Sequence, residues 1–237
     1  MSADGREDSL KSHFDTELIK ACKLLGGLEV RMPLNSQDEF FNADTLFSTF
    51  DKFFLVEFKT EDKSLKAERR KPAACVLCTN IENNTKITAL HDSCHFAMWG
   101  YREDDVLRGE YDCYRKCVCN QKVLPKCASA VKQNLKPEPI DYSFLACGAA
   151  KNEVGIDSEN FQIYLEWLLG ERGDGDGGGS GGGGRTGDLK AAIYASSTTH
   201  NIHTEMFESR AALHKWAIGD RPTPNNSTTY TPRKRKM

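Results

Sequence analysis

The chain has 237 residues, 39% of them hydrophobic and 28% charged, with a formal net charge of -2. That length buries a real core, and that balance excludes a protein that gathers nucleic acid through a global basic field, so any such contact must rest on local patches. No stretch reaches the apolar length of a membrane span, and the first eight residues lack a signal peptide's basic and apolar segments, so a soluble cytoplasmic protein without membrane contact is expected. Nine cysteines are an odd count, and without a secretory signal they predict reduced thiols rather than a disulfide framework.

Residues 1–8 read as a flexible start. In residues 9–25, Leu10, Phe14, Leu18, Ala21, Cys22 and Leu25 form a stripe at helical spacing, and Gly26-Gly27 ends it. Residues 28–32 read as a short strand and 35–39 as a polar connection. From Phe53 to Phe58 the chain is almost continuously apolar, as in a strand covered on both faces. Alternation puts Phe54, Val56 and Phe58 on one face, and Phe53, Leu55, Glu57 and Lys59 on the other. Asp44 to Phe47 is its returning partner, with a polar turn over residues 48–52. A hairpin centred near Phe50 and Asp51 sets Asp44 opposite Glu57, and two facing carboxylates in an apolar frame require a cation. Lys59 is one candidate and a divalent metal the other.

Downstream, residues 64–80 predict a helix carrying Leu65, Arg69, Ala73, Val76 and Leu77, with Pro72 either kinking it or restarting it as a first-turn proline. Lys63, Lys66, Arg69, Arg70 and Lys71 form the densest basic run before the tail, placed to hold phosphates. Residues 95–101 and 109–119 read as strands, and 158–171 as a helix with Phe161, Tyr164, Leu165 and Leu168 on one stripe. Residues 173–187 read as a glycine-rich flexible loop or linker whose Gly/Ser pattern resembles an engineered one. A strand over 189–196 and a helix over 206–218 are expected to dock on the core formed by residues 9–172. Residues 221–237 are a polar tail ending in four basic residues, Arg233 to Lys236, and then Met237, a possible nuclear address.

Asp44, twelve intervening residues, then Glu57-Phe58-Lys59 resembles the D...ExK signature of the PD-(D/E)XK nuclease superfamily, with Ala43 in place of the usual proline. The resemblance implies a mixed central sheet flanked by helices, a restriction-endonuclease-like αβββαβ core. It also implies a Mg²⁺-dependent nuclease, an endonuclease acting on DNA, in which Mn²⁺ can substitute. Asp44 and Glu57 would hold the metal, helped by the Phe58 carbonyl and, in some branches, by a first-helix glutamate such as Glu17. Lys59 would assist the attacking water. The basic run would hold the nucleic acid, and a homodimer or larger complex would be compatible. The chemistry is coherent by itself, since Mg²⁺ prefers carboxylates and phosphate oxygens and activates water.

Two other functions follow from the same residues. One is a nuclease-like fold that only binds nucleic acid or protein. The other is a zinc-stabilised interaction domain built on Cys75-x₂-Cys78 with His91-x₂-Cys94, which resembles a zinc knuckle. Zinc is disfavoured because the first pair sits in an apolar helical context. Cys113, Cys117 and Cys119, if extended on one strand, span too far to share a tetrahedral ion.

Overall fold

Strand β3 (Lys52–Lys59) is the middle of the molecule: every residue of it after Lys52 is buried, including Glu57 and Lys59. It pairs antiparallel with β2 (Thr45–Thr49), which pairs with β1 (Glu29–Pro33), and it pairs parallel with β4 (His95–Glu103). The computed structural model describes residues 3–25, 29–34, 42–49, 52–104, 106–170, 191–196 and 202–207. With β5 (Val106–Cys113), β6 (Ile140–Asp141), β8 (Ala191–Ser196) and β9 (Ile202–Phe207), the sheet runs β6-β5-β4-β3-β2-β1-β8-β9, and β7 (Ile156–Asp157) pairs with the start of β3. The fold is α/β, a mixed central sheet flanked by helices.

Alternation along β3 decides which layer each side chain meets. On one face lies α1 (Ala3–Leu24), whose Leu10, Phe14, Leu18 and Cys22 recur every fourth residue and are all buried. Phe14 meets Phe47 edge-on at 5.3 Å and Phe58 at 6.1 Å, and α6 (Tyr142–Ala150) packs beside it through Tyr142 at 6.0 Å. On the other face Phe161 of α7 (Ser158–Gly170) stacks on Phe53 at 5.2 Å. A 3-10 helix (Asp62–Arg70), α2 (Pro72–Ile81) and α3 (Thr85–Cys94) cross over from β3 to its parallel neighbour β4. The helix-strand-helix layering forces this long connection, because parallel partners cannot be joined by a hairpin.

Several expectations need correction. The segment after β3 is not one α-helix: Asp62–Arg70 is a 3-10 turn of unusual length, and Pro72 opens a fresh α-helix at its first position. Three residues per turn bring Leu65 and Glu68 inward rather than Leu65 and Arg69. Strand β5 ends at Cys113, after which α4 (Tyr114–Val118) begins, so Cys113, Cys117 and Cys119 do not share strand parity. Met206 and Phe207 lie in β9 and not in a helix, while residues 208–218, the glycine-rich segment and the tail fall outside the described residues. α3, capped by the Asn84 side chain accepting from the Ile87 N–H at 3.1 Å, has no counterpart among the predicted elements.

The cysteines also depart from expectation. Cys75 is bonded to Cys127, at the start of α5 (Ala128–Gln133), and Cys78 to Cys119, at the end of α4. Reduced thiols remain at Cys22, Cys94, Cys113, Cys117 and Cys147. The odd count hid two pairs, because pairing depends on Cα separations of 5.6 and 5.5 Å that a sequence does not display. Each bond closes a loop of several tens of residues onto α2. Replacing Cys78 and Cys119 together by serine should lower unfolding free energy by about 2–4 kcal/mol, and reductant, which also opens the Cys75–Cys127 bond, should lower that of the wild type further, read by urea unfolding.

Candidate functional site

The expected hairpin register is present. Thr45 pairs with Val56, which sets Asp44 opposite Glu57, and the Asp44 N–H donates to the Val56 carbonyl at 2.9 Å. Asp44 lies just before β2, where its Oδ2 accepts the Phe58 N–H at 2.6 Å, so one acid bridges the ends of two strands. Its Oδ1 is 3.6 Å from Lys11 Nζ of α1, and Lys11 in turn pairs with Glu7 at 3.2 Å.

Glu57 is wholly buried and faces an alternating set of charges. Its Oε1 is ion-paired with Lys59 and lies 2.7 Å from Lys71 Nζ. The same two lysines reach Glu68 Oε1 at 2.9 and 3.3 Å, and Tyr114 donates its hydroxyl to Glu68 Oε2 at 2.6 Å. Two buried glutamates and two nearly buried lysines therefore make a closed square, and Glu57 also feels the charge of Asp44. Burial first, then the charges of Asp44 and Glu68, push the Glu57 carboxyl up to about 8, outweighing both lysines. For Glu68 burial works the other way from its surroundings, but Lys59, Lys71 and hydrogen bonds from Glu57 and Tyr114 prevail and hold it down at about 2. The two glutamates are thus shifted in opposite directions, Glu57 towards holding a proton and Glu68 towards losing it. Burial also opposes the charge on Lys59, yet Glu57 and Glu68 keep that ammonium above its ordinary range. Glu57 Oε2 makes no well-formed hydrogen bond among the described residues, although the carboxyl stands close enough to Glu68 to lower the latter's titration.

No protein-family model, curated protein or solved structure matched the chain.

The predicted residues divide among several places. Asp44, Glu57 and Lys59 come together, and the Phe58 backbone enters through its N–H. Glu17 does not join them: it pairs with Lys20 at 2.8 Å and its charge is felt by Tyr142. The α1 residue that reaches Asp44 is Lys11. Of the basic run, Lys63, Lys66, Arg69 and Arg70 are exposed, whereas Lys71 turns inward onto the glutamates. Glu68 and Tyr114 escaped sequence reading. The signal for Glu68 is a period of three, Leu65-Glu68-Lys71, which a helical period of 3.6 hides.

A second buried network supports the hairpin from behind. The Arg115 N–H donates to His91 Nε2 at 3.2 Å, which puts the His91 proton on Nδ1. Burial first, then His95 and Arg115, hold His91 well below its usual titration, so the ring is neutral. His91 Nδ1 then donates to the Tyr164 hydroxyl at 2.7 Å, that hydroxyl donates to His95 Nδ1 at 2.7 Å, and His95 Nε2 donates to the Asn42 carbonyl at 2.9 Å. Asn42 adopts the left-handed conformation, φ 50, two residues before Asp44. The chain of donors fixes the loop that carries the acid.

His91, Asp92 and Cys113 are the group of metal-capable side chains found within 4.8 Å of one another among the described residues. Their atoms are already engaged: both His91 nitrogens as above, Asp92 by Arg115 at 2.5 and 2.6 Å, and the Cys113 thiol by donation to Asp92 at 2.9 Å. The knuckle set Cys75, Cys78, His91 and Cys94 is not assembled, since the first two are in separate disulfides. Removing Glu68 would leave two lysines facing the single carboxyl of Glu57. Glu68→Ala should therefore cost about 3–5 kcal/mol of stability, and Tyr114→Phe about 1.5–3 kcal/mol, both read by denaturant unfolding.

Proposed function

We propose that the protein is a metal-dependent nuclease that hydrolyses phosphodiester bonds, with Asp44 and Glu57 as the metal-holding pair and Lys59 beside them. The observation carrying this reading is the pairing of Asp44 with Glu57 across the ends of β2 and β3, with Lys59 on the Glu57 side of the strand. The order of helix, three-stranded meander, helical crossover and a parallel fourth strand is the order that the D...ExK resemblance implies, and it supports a restriction-endonuclease-like core.

The residues fit Mg²⁺ or Mn²⁺ by the chemistry of their free oxygens. Among the described residues Glu57 Oε2 lacks a well-formed partner, and Asp44 Oδ1 has a long contact to Lys11. A divalent ion held there supplies charge to the phosphate and lowers the pKa of water. The Lys59 ammonium, kept cationic by two glutamates, stabilises negative charge on a phosphate and does not serve as a base. Lys71 and Lys59 both face Glu57 Oε1 and leave Oε2 to a metal.

That last contact also favours a second reading, a nuclease-like fold that binds without cutting, because Lys59 and Lys71 already neutralise the carboxylates. The two readings separate in a cleavage assay with Mg²⁺ or Mn²⁺ over linear, supercoiled, single-stranded and branched DNA and over RNA. Cleavage that drops about 100-fold or more in Glu57→Gln and Lys59→Met supports catalysis through lost transition-state stabilisation. Absence of cleavage on every substrate sinks it.

The titration of Glu57 adds a pH signature. Metal binding needs the carboxylate, so below about 8 the ion must displace the Glu57 proton, and above it no proton is displaced. Affinity for Mn²⁺ should rise by about tenfold per pH unit up to that point and then level off. Isothermal calorimetry in buffers of different ionisation enthalpy would count the released proton.

A further inference from the structure

A cleft of about 870 Å³ opens where β3 and β4 end, beside the carboxylate cluster. Thr60 and Glu61, which line it, continue the chain directly from Lys59. Trp99, on its floor, is the register partner of Lys59 in β4 and so faces the same side of the sheet. Carboxyl ends of parallel strands are where open α/β sheets bind ligands.

Three separate segments each bring a lysine to this cleft: Lys66 from the 3-10 helix, Lys122 from the turn after α4, and Lys136 from the stretch after α5. All three are exposed, and no ion pair engages them among the described residues. Their gathering is not a consequence of overall charge, since the chain carries a formal net charge of -2. The lining also carries Glu61, Asp62 and Glu110, but Glu61 is paired with Lys63 at 3.0 Å and Arg102 adds a further positive charge, so cations outnumber acids and an anionic ligand would be attracted. The walls that carry Lys122 and Lys136 are anchored rather than loose. Cys119 is bonded to Cys78, Cys127 to Cys75, and the Leu135 N–H donates to the Cys119 carbonyl at 3.2 Å. The same cleft is lined by flat apolar surfaces, among them Tyr101, 37% exposed on β4, and Pro137. Cations and planar apolar faces in one cleft suit a ligand that combines phosphates with bases. The volume is that of a drug-sized ligand, enough for a few nucleotides of one strand.

We propose that this cleft binds an unpaired stretch of nucleic acid, with Lys66, Lys122 and Lys136 on its phosphates and Tyr101 stacked on a base. The assignment of the ligand rests on the nuclease reading of the neighbouring cluster, but binding is measurable apart from cleavage. The full chain in EDTA is titrated against labelled short single-stranded DNA and RNA, the matching duplex, and a mononucleotide as competitor, with fluorescence anisotropy as readout.

Single strands should bind about tenfold or more tighter than the duplex. Lys122→Glu and Lys136→Glu should each weaken them by about tenfold and flatten the salt dependence by roughly one phosphate contact. Tyr101→Ala should weaken binding by about fivefold or more without changing that salt slope. Lys86→Glu, an exposed change of the same charge on α3, controls for net charge and should leave affinity unaltered. Unchanged thermal melts establish that the variants fold. Single-strand binding in EDTA that responds to the lysines, without cleavage in metal, would keep the cleft and remove the nuclease reading. Metal-dependent cleavage with affinity indifferent to Lys122, Lys136 and Tyr101 would overturn the cleft, as would exclusive preference for the duplex or the mononucleotide.

Discussion

The structure turns on keeping charge inside the sheet. Glu57 and Glu68 are removed from water entirely, and isolating even one such ion costs several kcal/mol. The cost is met by alternation: each carboxylate faces Lys59 and Lys71, and Tyr114 takes the remaining oxygen of Glu68. Coulomb attraction at such contacts is strong in a low-dielectric interior, but desolvation consumes much of it, and a hydrophobic core of the same shape would be no less stable. Stability alone does not explain a buried square of charges on the central strand. A site whose two glutamates are shifted in opposite directions offers such an explanation, because perturbed carboxyls in pairs are where acid-base and cation chemistry concentrate.

Around that square the architecture is a set of braces. Phe53 and Phe161 lock α7 to the start of β3, and Phe14 with Phe47 and Phe58 locks α1 to the opposite face. Tyr164 on α7 joins His91 and His95, whose far nitrogen grips the Asn42 carbonyl. Movement of α7 would therefore be felt at Asp44 through a single series of hydrogen bonds. His95 also stacks on Tyr114 with ring centroids 4.7 Å apart, tying this series to the residue that holds Glu68. The two buried polar networks are consequently one mechanical unit, and the disulfides fasten its outer helices to α2.

Local rules carried much of the reading. The alternation of β3, the register that opposes Asp44 to Glu57, the stripe of α1 and the restart at Pro72 are visible because each depends on neighbours along the chain or across a tight hairpin. Misreadings fall where packing decides. The helix predicted over residues 64–80 follows an α period, yet residues 62–70 wind tighter, which puts Glu68 and not Arg69 on the inner side with Leu65. Strand β5 stops at Cys113, where the Asp92 and Arg115 pair and the His91 contact favour a helical turn.

The sequence by itself determined the central hairpin, the acid pair and the adjacent lysine, because a two-residue alternation and a hairpin register are short-range geometry. Tertiary structure alone decided that Lys71 and Glu68 complete the site, that His91, Tyr164 and His95 brace it, and that Lys66, Lys122 and Lys136 share one cleft. These groups lie far apart in the chain and meet only when the crossover from β3 to β4 is folded back over the sheet. Their charges and tautomers are set by burial and by each other, quantities that have no value until the fold exists.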